Sequence, residues 1–278
     1  MRPLNEQVIL ITGATDGLGK ALALELASAG ATLLLHGRDD RRGQETINDI
    51  RATAPSSSLH WHRADLSSLE EVRDLASAVA AEHERLDVLV NNAGVGSTLP
   101  GDGKRMESAD GFELRFAVNY LATFLLTRLL QPLLVRSAPS RIVNVSSAGQ
   151  APIDFDDVML ERGYGGQRAY AQSKLAQIMF TFDLAEDLAG TGVTANCLHP
   201  ATFMPTKIVL AARGGATSTL EEGVRATMRL VTDPDLETAT GRYYNGLREA
   251  RAMDQAYDAD ARGRLRRLSE ELTAVVPR

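Results

Sequence analysis

Val8-Ile9-Leu10-Ile11-Thr12-Gly13-Ala14-Thr15-Asp16-Gly17-Leu18-Gly19 decides how this chain folds. The apolar run from Val8 to Ile11 is too short for a helix and suits a buried strand. A helix signal follows at once, because Leu18, Leu22 and Leu26 recur at spacing four and Gly30 stops the run, so the pattern predicts a helix over 18–29. Between them the glycines are spaced Gly-x-x-x-Gly-x-Gly. Gly13 permits a tight turn, Gly17 lets backbone approach a pyrophosphate, and Gly19 lets the helix pack on the sheet. The helix N-terminus supplies unpaired N–H groups and partial positive charge to an anion. Thr15, Asp16 and Leu18 complete the turn and are expected beside the phosphates of a bound dinucleotide. The spacing is one residue longer than the usual dinucleotide fingerprint.

Working outward, the alternation of strand and helix continues. Strands are predicted at Thr32–His36, Leu59–Arg63, Val88–Val90, Ile142–Val145, Val193–Leu198 and Arg242–Tyr244. Ser67-Ser68-Leu69-Glu70 reads as a capping box opening the helix after Asp65. A long helix is predicted over Phe112–Leu134, with Pro132 kinking or closing it near its end, and another over Ala169–Leu188 before Gly190. This is the pattern of an α/β protein. It predicts a single Rossmann-type doubly wound domain over 1–278, with a seven-stranded, mainly parallel sheet covered by helices on both faces. Ligands then belong at the carboxyl ends of the strands. A substrate lid is expected at about 200–230 and a charged helical tail at about 255–278.

Composition removes other classes. With 278 residues, 44% of them hydrophobic, the chain can bury a large core and is not disordered. A net charge of −6 argues against a nucleic-acid surface. Cys197 is the single cysteine, so neither a disulfide framework nor a thiolate metal cluster is expected, which suits a cytoplasmic protein. Asn5-Glu6-Gln7 interrupts any N-terminal signal, and no membrane span is expected because no run of eighteen apolar residues stands out. The histidines show no ligand spacing. His60 and His62, flanking Trp61, are expected at the surface, and no metal site is expected.

The residues that carry chemistry lie at the predicted strand ends. Tyr170 and Lys174 are four apart, hence on one helix face. A nearby ammonium favours a phenolate, so Lys174 is expected to lower the Tyr170 pKa and make it an acid or base near neutrality. Ser146 and Ser147 end the strand at Val145, and either could donate to a substrate oxygen; Ser147 lies farther toward the carboxyl edge. The second strand ends His36-Gly37-Arg38, where NAD sites place a carboxylate for the ribose 2′-hydroxyl. Gly37 gives room and Arg38 a guanidinium for a 2′-phosphate, so NADP is preferred and NAD is possible. Arg41 and Arg42 read as solvated. Asp65-Leu66 reads as an adenine contact or as a plain helix entry. Asn91-Asn92-Ala93-Gly94 reads as a ribose-side passage or as a simple turn.

As a set, these motifs resemble the short-chain dehydrogenase/reductase superfamily over about residues 7–245. Arg141-Ile142-Val143-Asn144-Val145-Ser146-Ser147, the long gap to Tyr170, Ser173-Lys174-Leu175-Ala176 and Leu198-His199-Pro200 look most like its retinol dehydrogenase and WW-domain oxidoreductase branch. The resemblance implies hydride transfer between NADP(H) and a carbonyl or alcohol. In that reading Tyr170, Lys174, Ser147 and Asn119 are the catalytic set. Lys174 also holds the nicotinamide ribose, and Asn119 holds a relay water. Gly13, Thr15, Asp16, Gly17, Leu18, Gly19, Arg38, Asp65, Leu66, Asn91, Ala93, Gly94, Tyr170, Lys174, Pro200 and Thr202 are the cofactor set. Ala201 stands where the family has glycine, and Thr206 falls one position later than its usual threonine. Relatives pair through the helices carrying Asn119 and Tyr170, so a homodimer or homotetramer is implied. Ile153, Phe155, Val158, Met159 and Leu160, with Phe203, Met204, Ile208, Val209 and Leu210, favour a lipophilic or aromatic substrate. The competing readings are a same-fold epimerase or dehydratase, and a non-catalytic nucleotide-sensing or partner-binding protein.

Overall fold

Every predicted apolar run becomes a strand of one sheet. The computed structural model describes residues 1–275. In chain order it comprises β1 (Val8–Ile11), α1 (Gly17–Ser28), β2 (Thr32–Gly37), α2 (Asp40–Thr53), β3 (Leu59–Arg63), α3 (Leu69–Glu82) and β4 (Val88–Asn91). A π-helical turn (Phe116–Leu121) then runs into α4 (Ala122–Arg136), followed by β5 (Ser140–Val145), α5 (Gly166–Asp187) and β6 (Val193–His199). The chain continues with α6 (Lys207–Arg213), α7 (Leu220–Thr232), β7 (Arg242–Asn245), β8 (Arg248–Glu249) and α8 (Ala259–Thr273). The sheet order is β3-β2-β1-β4-β5-β6-β7-β8, parallel except for β8. Strand order reverses between β1 and β4, so the crevice beyond their carboxyl ends is the place for a ligand.

The pleat divides the strands between two cores. Leu10, Leu34, Leu89 and Ile142 join α3, α4 and α5 on one face. Ile9, Ile11, Leu33, Leu35, Val90 and Val143 join α1 and α7 on the other.

Four local expectations are revised. The sheet has eight strands among the described residues, not seven. The added β8 is two residues long, exposed, and folds back through Gly246 (φ +58°), so it leaves no periodic signal. The cap of α3 is Ser68, whose Oγ accepts from Glu71 N at 3.3 Å; Ser67 and Glu70 do not form the box. The long helix starts at Phe116 rather than Phe112 and runs past Pro132 to Arg136. The segment Phe116–Arg136 is long and apolar enough to cross a membrane, but 72% of that window is buried inside the fold, as befits a core helix.

The fourth revision concerns the tail. Its helix α8 is not simply a surface element. Ala261 and Leu265 are buried, Ser269 Oγ meets Tyr120 Oη at 2.6 Å, and Arg266 pairs with Asp183 and Asp187 on α5. Residues 276–278 of the expected tail lie outside the described residues.

Candidate active site

The glycine turn is held from three sides. Gly13 and Gly17 have φ of +68° and +49°, which L side chains rarely adopt. A Cβ on Gly13 would lie 2.9 Å from Ala93 Cα, so the turn after β4 packs directly on it. Asn92 Nδ2 donates to Thr12 O (2.8 Å) and Gly13 O (3.2 Å), while Thr12 Oγ1 accepts from Asn92 N and Ala93 N, both at 3.0 Å. His36 supports the turn from β2. Gly13 N donates to its Nδ1 at 3.2 Å, so Nε2 carries the proton and donates to Ala64 O at 3.1 Å. Burial pushes the His36 imidazole down to about 4, which keeps it in that neutral state.

Asp16 caps α1, accepting from Gly17 N at 2.8 Å. Its other oxygen pairs with Arg42 (2.9 Å) and with Lys207 on α6 (2.7 Å). Burial pushes the Asp16 carboxyl upward, but Lys207, the Gly17 N–H and Arg42 together outweigh it and hold the group below its ordinary value. Arg42 also donates to Thr15 O at 3.2 Å, so the expectation that it is merely solvated is wrong. The lid segment thus lies across the turn. Thr206 caps α6, and its methyl sits 3.1 Å from where a Gly17 Cβ would be, while Ile208 packs on Gly96.

Arg38 is exposed at the carboxyl end of β2. Gly37 does not leave open room, as its sequence context suggested. A Cβ there would meet the Trp61 indole at 2.7 Å and Thr15 Cγ2 at 2.9 Å. The indole, tied to Asp40 by a 2.7 Å hydrogen bond, fills the space that a carboxylate side chain would need. Asp65 Oδ1 accepts from Ser67 N at 2.9 Å, and the Leu66 side chain is buried. The Asn91 side chain turns away from the crevice, donating to Thr127 Oγ1 (3.0 Å) and Asn144 Oδ1 (2.8 Å) inside the fold. Thr202 is linked to His199 at 3.0 Å beyond Pro200.

Two of the other predicted residues, Asn119 and Lys174, converge beside Gly94. A Cβ on Gly94 would lie 3.1 Å from Asn119 Oδ1 and 3.6 Å from Lys174 Nζ, so this glycine lets both side chains reach the same point. Asn119 lies in the π-turn. Its amide accepts from Val95 N (2.7 Å) and donates to Val95 O (3.1 Å) and Ser173 Oγ (2.9 Å). Such turns inside helices are frequent at functional sites. Ser146 Oγ is occupied, donating to Lys174 O at 2.8 Å. Ser147 Oγ accepts from Gly149 N at 3.0 Å, and the point where a Gly149 Cβ would sit is 3.5 Å from it and 3.9 Å from Tyr170 Cε1. Ser147, not Ser146, therefore faces the phenol.

The electrostatics differ from the sequence expectation. Burial raises the Tyr170 phenol above its ordinary value, and the Ser147 hydroxyl offsets only part of this. Lys174 is not among the groups that act on the phenol. Its ammonium lies 5.9 Å from the Tyr170 ring centroid and donates to Val145 O (3.0 Å) and Gln177 Oε1 (2.8 Å). Burial pushes Lys174 down to about 7. Gln177, one turn beyond the lysine, was not singled out in the sequence; its i+3 spacing was the available signal.

A stability prediction follows from the lysine. Its folded value lies below the ordinary 10.5, so the unfolded chain binds more protons between about pH 7 and 10.5. Stability from this group is fully present above that window and is lost as pH falls through about 7. Without cofactor, the thermal midpoint of the wild type relative to Lys174→Met should decline from pH 10 to pH 7 and then level off. In Gln177→Glu a carboxylate beside the ammonium favours the charged form, and the same comparison should lose most of its slope. A flat difference between wild type and Lys174→Met would show that the lysine is not held neutral.

Of the apolar residues expected to line a substrate pocket, Ile153, Val158, Leu160 and Met204 are buried. Phe155 and Met159 are only partly buried against the core, and Leu210 is 45% exposed on α6.

A dinucleotide turn at the strand-order switch, with a phenol, a serine and a lysine meeting beside it, defines a nucleotide-dependent oxidoreductase site. The sequence pattern described as short chain dehydrogenase matches residues 7–214, and the chain belongs to that family. Within it, the chain falls in the retinol dehydrogenase branch. It is 37% identical to mouse Retinol dehydrogenase 13 over 93% of its own length and 81% of the relative's. Among solved structures it resembles an uncharacterized protein of Mycobacterium paratuberculosis (TM-score 0.80, 30% identity, 97% of this chain and 94% of that one). It also resembles a Shigella flexneri short chain dehydrogenase complexed with NADP (TM-score 0.72, 27% identity, 88% and 99% covered).

Proposed function

We propose that this chain is an NADP(H)-dependent oxidoreductase that interconverts a lipophilic or aromatic carbonyl compound and its alcohol, with Tyr170 as the acid and base. The observation that carries this reading is that Lys174 and Asn119 meet beside Gly94, on the turn that packs against Gly13, while Tyr170 and Ser147 meet beside Gly149 and the Lys174 ammonium lies over the Tyr170 ring. The residues fit a dinucleotide. Gly13 and Gly17 hold backbone conformations that keep the turn free of side chains, and α1 points its N-terminus at the place a diphosphate would take.

When bound, NADP(H) supplies the hydride chemistry. The protein's part is to bind, orient and move a proton. The raised phenol of Tyr170 is protonated at neutral pH and can give its proton to a carbonyl oxygen as charge grows there. The bond from Gly149 uses only a lone pair of Ser147, so its hydroxyl proton, which faces the phenol, can be donated to the same substrate oxygen. Lys174, fixed by Val145 O and Gln177, would hold the ribose hydroxyls of a bound cofactor, and it changes protonation near neutrality. Asn119, at the freed turn of its helix, is suited to hold a relay water between the lysine and solvent. Arg38 supports NADP over NAD because it is an unburied guanidinium at the end of β2, where Trp61 excludes a carboxylate. The NADP complex of the Shigella relative supports the same preference. Consumption of NADPH by the purified protein with a panel of aldehydes and ketones is the test.

The oligomer implied by resemblance is not favoured. Helix α8 lies over α5 and reaches Tyr120 in the π-turn, on the two helices through which the resemblance implies pairing. We propose that the chain is a monomer. Sedimentation equilibrium should return about its own 30.0 kDa mass; a stable dimer at micromolar protein would contradict this.

A further inference from the structure

On the far edge of the sheet from the lid, three imidazoles and a carboxylate meet although the histidines show no ligand spacing along the chain. Contrary to its expected surface position, His62 on β3 is buried, with 7% of its surface exposed. His60, two residues before it on the same strand face, is exposed. Glu82 ends α3 and His83 caps it. The His60 and His83 rings meet edge to face at 4.8 Å, and the His62 and His83 rings at 6.0 Å.

We propose that His62, His83 and Glu82 form a binding site for one divalent transition-metal ion, zinc being the best fit, which clips the edge strand β3 to the end of α3. One donor atom from each of the three lies within 4.8 Å of the other two. Tetrahedral zinc with bonds of about 2.0–2.2 Å needs donors roughly 3.4 Å apart, a distance that small side-chain rotations reach. Glu82 is exposed and His83 only partly buried, so both can move toward the fixed His62.

Two further observations point to a cation. The Nε2 atoms of His62 and His83 are buried and have no hydrogen-bond partner among the described residues, which is unusual for buried polar groups and would be answered by metal ligation. The site also sits at the carboxyl end of a helix, where the dipole disfavours the Glu82 carboxylate and favours a positive ion beside it. Two imidazoles and one carboxylate make a set that zinc accepts with a position left open. The histidine-rich donors exclude magnesium and calcium, which take oxygen ligands. The cluster lies apart from the crevice, which the chain enters after β3 only beyond Ala64, at Asp65 and Leu66. With water as its fourth ligand the ion tethers the edge strand β3, which pairs only with β2 among the described residues, to the end of α3.

The test uses untagged, chelator-stripped protein titrated with zinc chloride by calorimetry, alongside the double variant Glu82→Ala/His83→Ala. That variant changes only exposed or partly buried side chains and leaves the crevice residues in place. The expected result is one zinc per wild-type chain at micromolar or tighter affinity, with a raised thermal midpoint, and at least a hundredfold weaker uptake with no midpoint shift in the variant. Cobalt chloride should give the visible absorption of a low-symmetry four- or five-coordinate ion in the wild type alone. Absence of stoichiometric uptake by the wild type, or equal uptake by both proteins, would overturn the proposal.

Discussion

Tyr170→Phe is expected to lower turnover with any carbonyl substrate by ~10²–10⁴, while NADPH affinity changes by less than about threefold. The substitution keeps the ring that Gly149 packs near and that Lys174 lies over, and deletes only the proton. Removing Ser147 alone should cost about 10²–10³, the usual consequence of losing one donor to a developing oxyanion. The paired measurement is turnover by steady-state kinetics and NADPH binding by fluorescence. Near-normal turnover in Tyr170→Phe would remove the phenol from the mechanism, whatever its position.

The second large effect concerns cofactor choice. Arg38→Ala should raise KM for NADPH by ~10–100-fold and leave KM for NADH nearly unchanged. A charge-assisted hydrogen bond is worth about 1.5–3 kcal/mol, and only NADPH carries the 2′-phosphate that would receive it. Arg42→Ala provides the contrast. Arg42 holds Asp16 and the Thr15 carbonyl, both parts of the turn that any dinucleotide would use. Its loss should weaken NADPH and NADH alike. An equal change for both cofactors in Arg38→Ala would transfer the phosphate contact elsewhere on this rim.

Much of this was legible in the sequence, for a physical reason. The strand–turn–helix at Val8–Gly19 and the pairing of Tyr170 with Lys174 depend on local spacing, which the chain displays directly. What was not legible depends on long-range packing. Trp61 reaching over Gly37 joins residues 24 apart, so the glycine looked like open room when it is a packing requirement. Asn91 and Asn92 are adjacent and chemically identical, yet one bridges strands in the interior and the other latches the glycine turn. Only the register of β4 against β5 and the fold of the glycine turn separate them. The Tyr170 shift had the wrong sign because helical spacing places Lys174 near the ring, whereas the direction of the ammonium is set by Val145 and Gln177. The coverage of α5 by α8 was hidden for the same reason, since a charged helix shows its partner only when folded.

The most direct measurement of the central claim follows the hydride itself. Purified wild-type protein is supplied with NADPH carrying deuterium at the transferable C4 position, together with a panel of lipophilic and aromatic aldehydes and ketones. Products are then analysed by mass spectrometry. The account predicts that at least one member of the panel is reduced to an alcohol bearing one deuterium on the carbinol carbon, in step with NADPH consumed, and that Tyr170→Phe forms this product at least a hundredfold more slowly. A protein that binds NADPH tightly but transfers no deuterium to any carbonyl in the panel would contradict it.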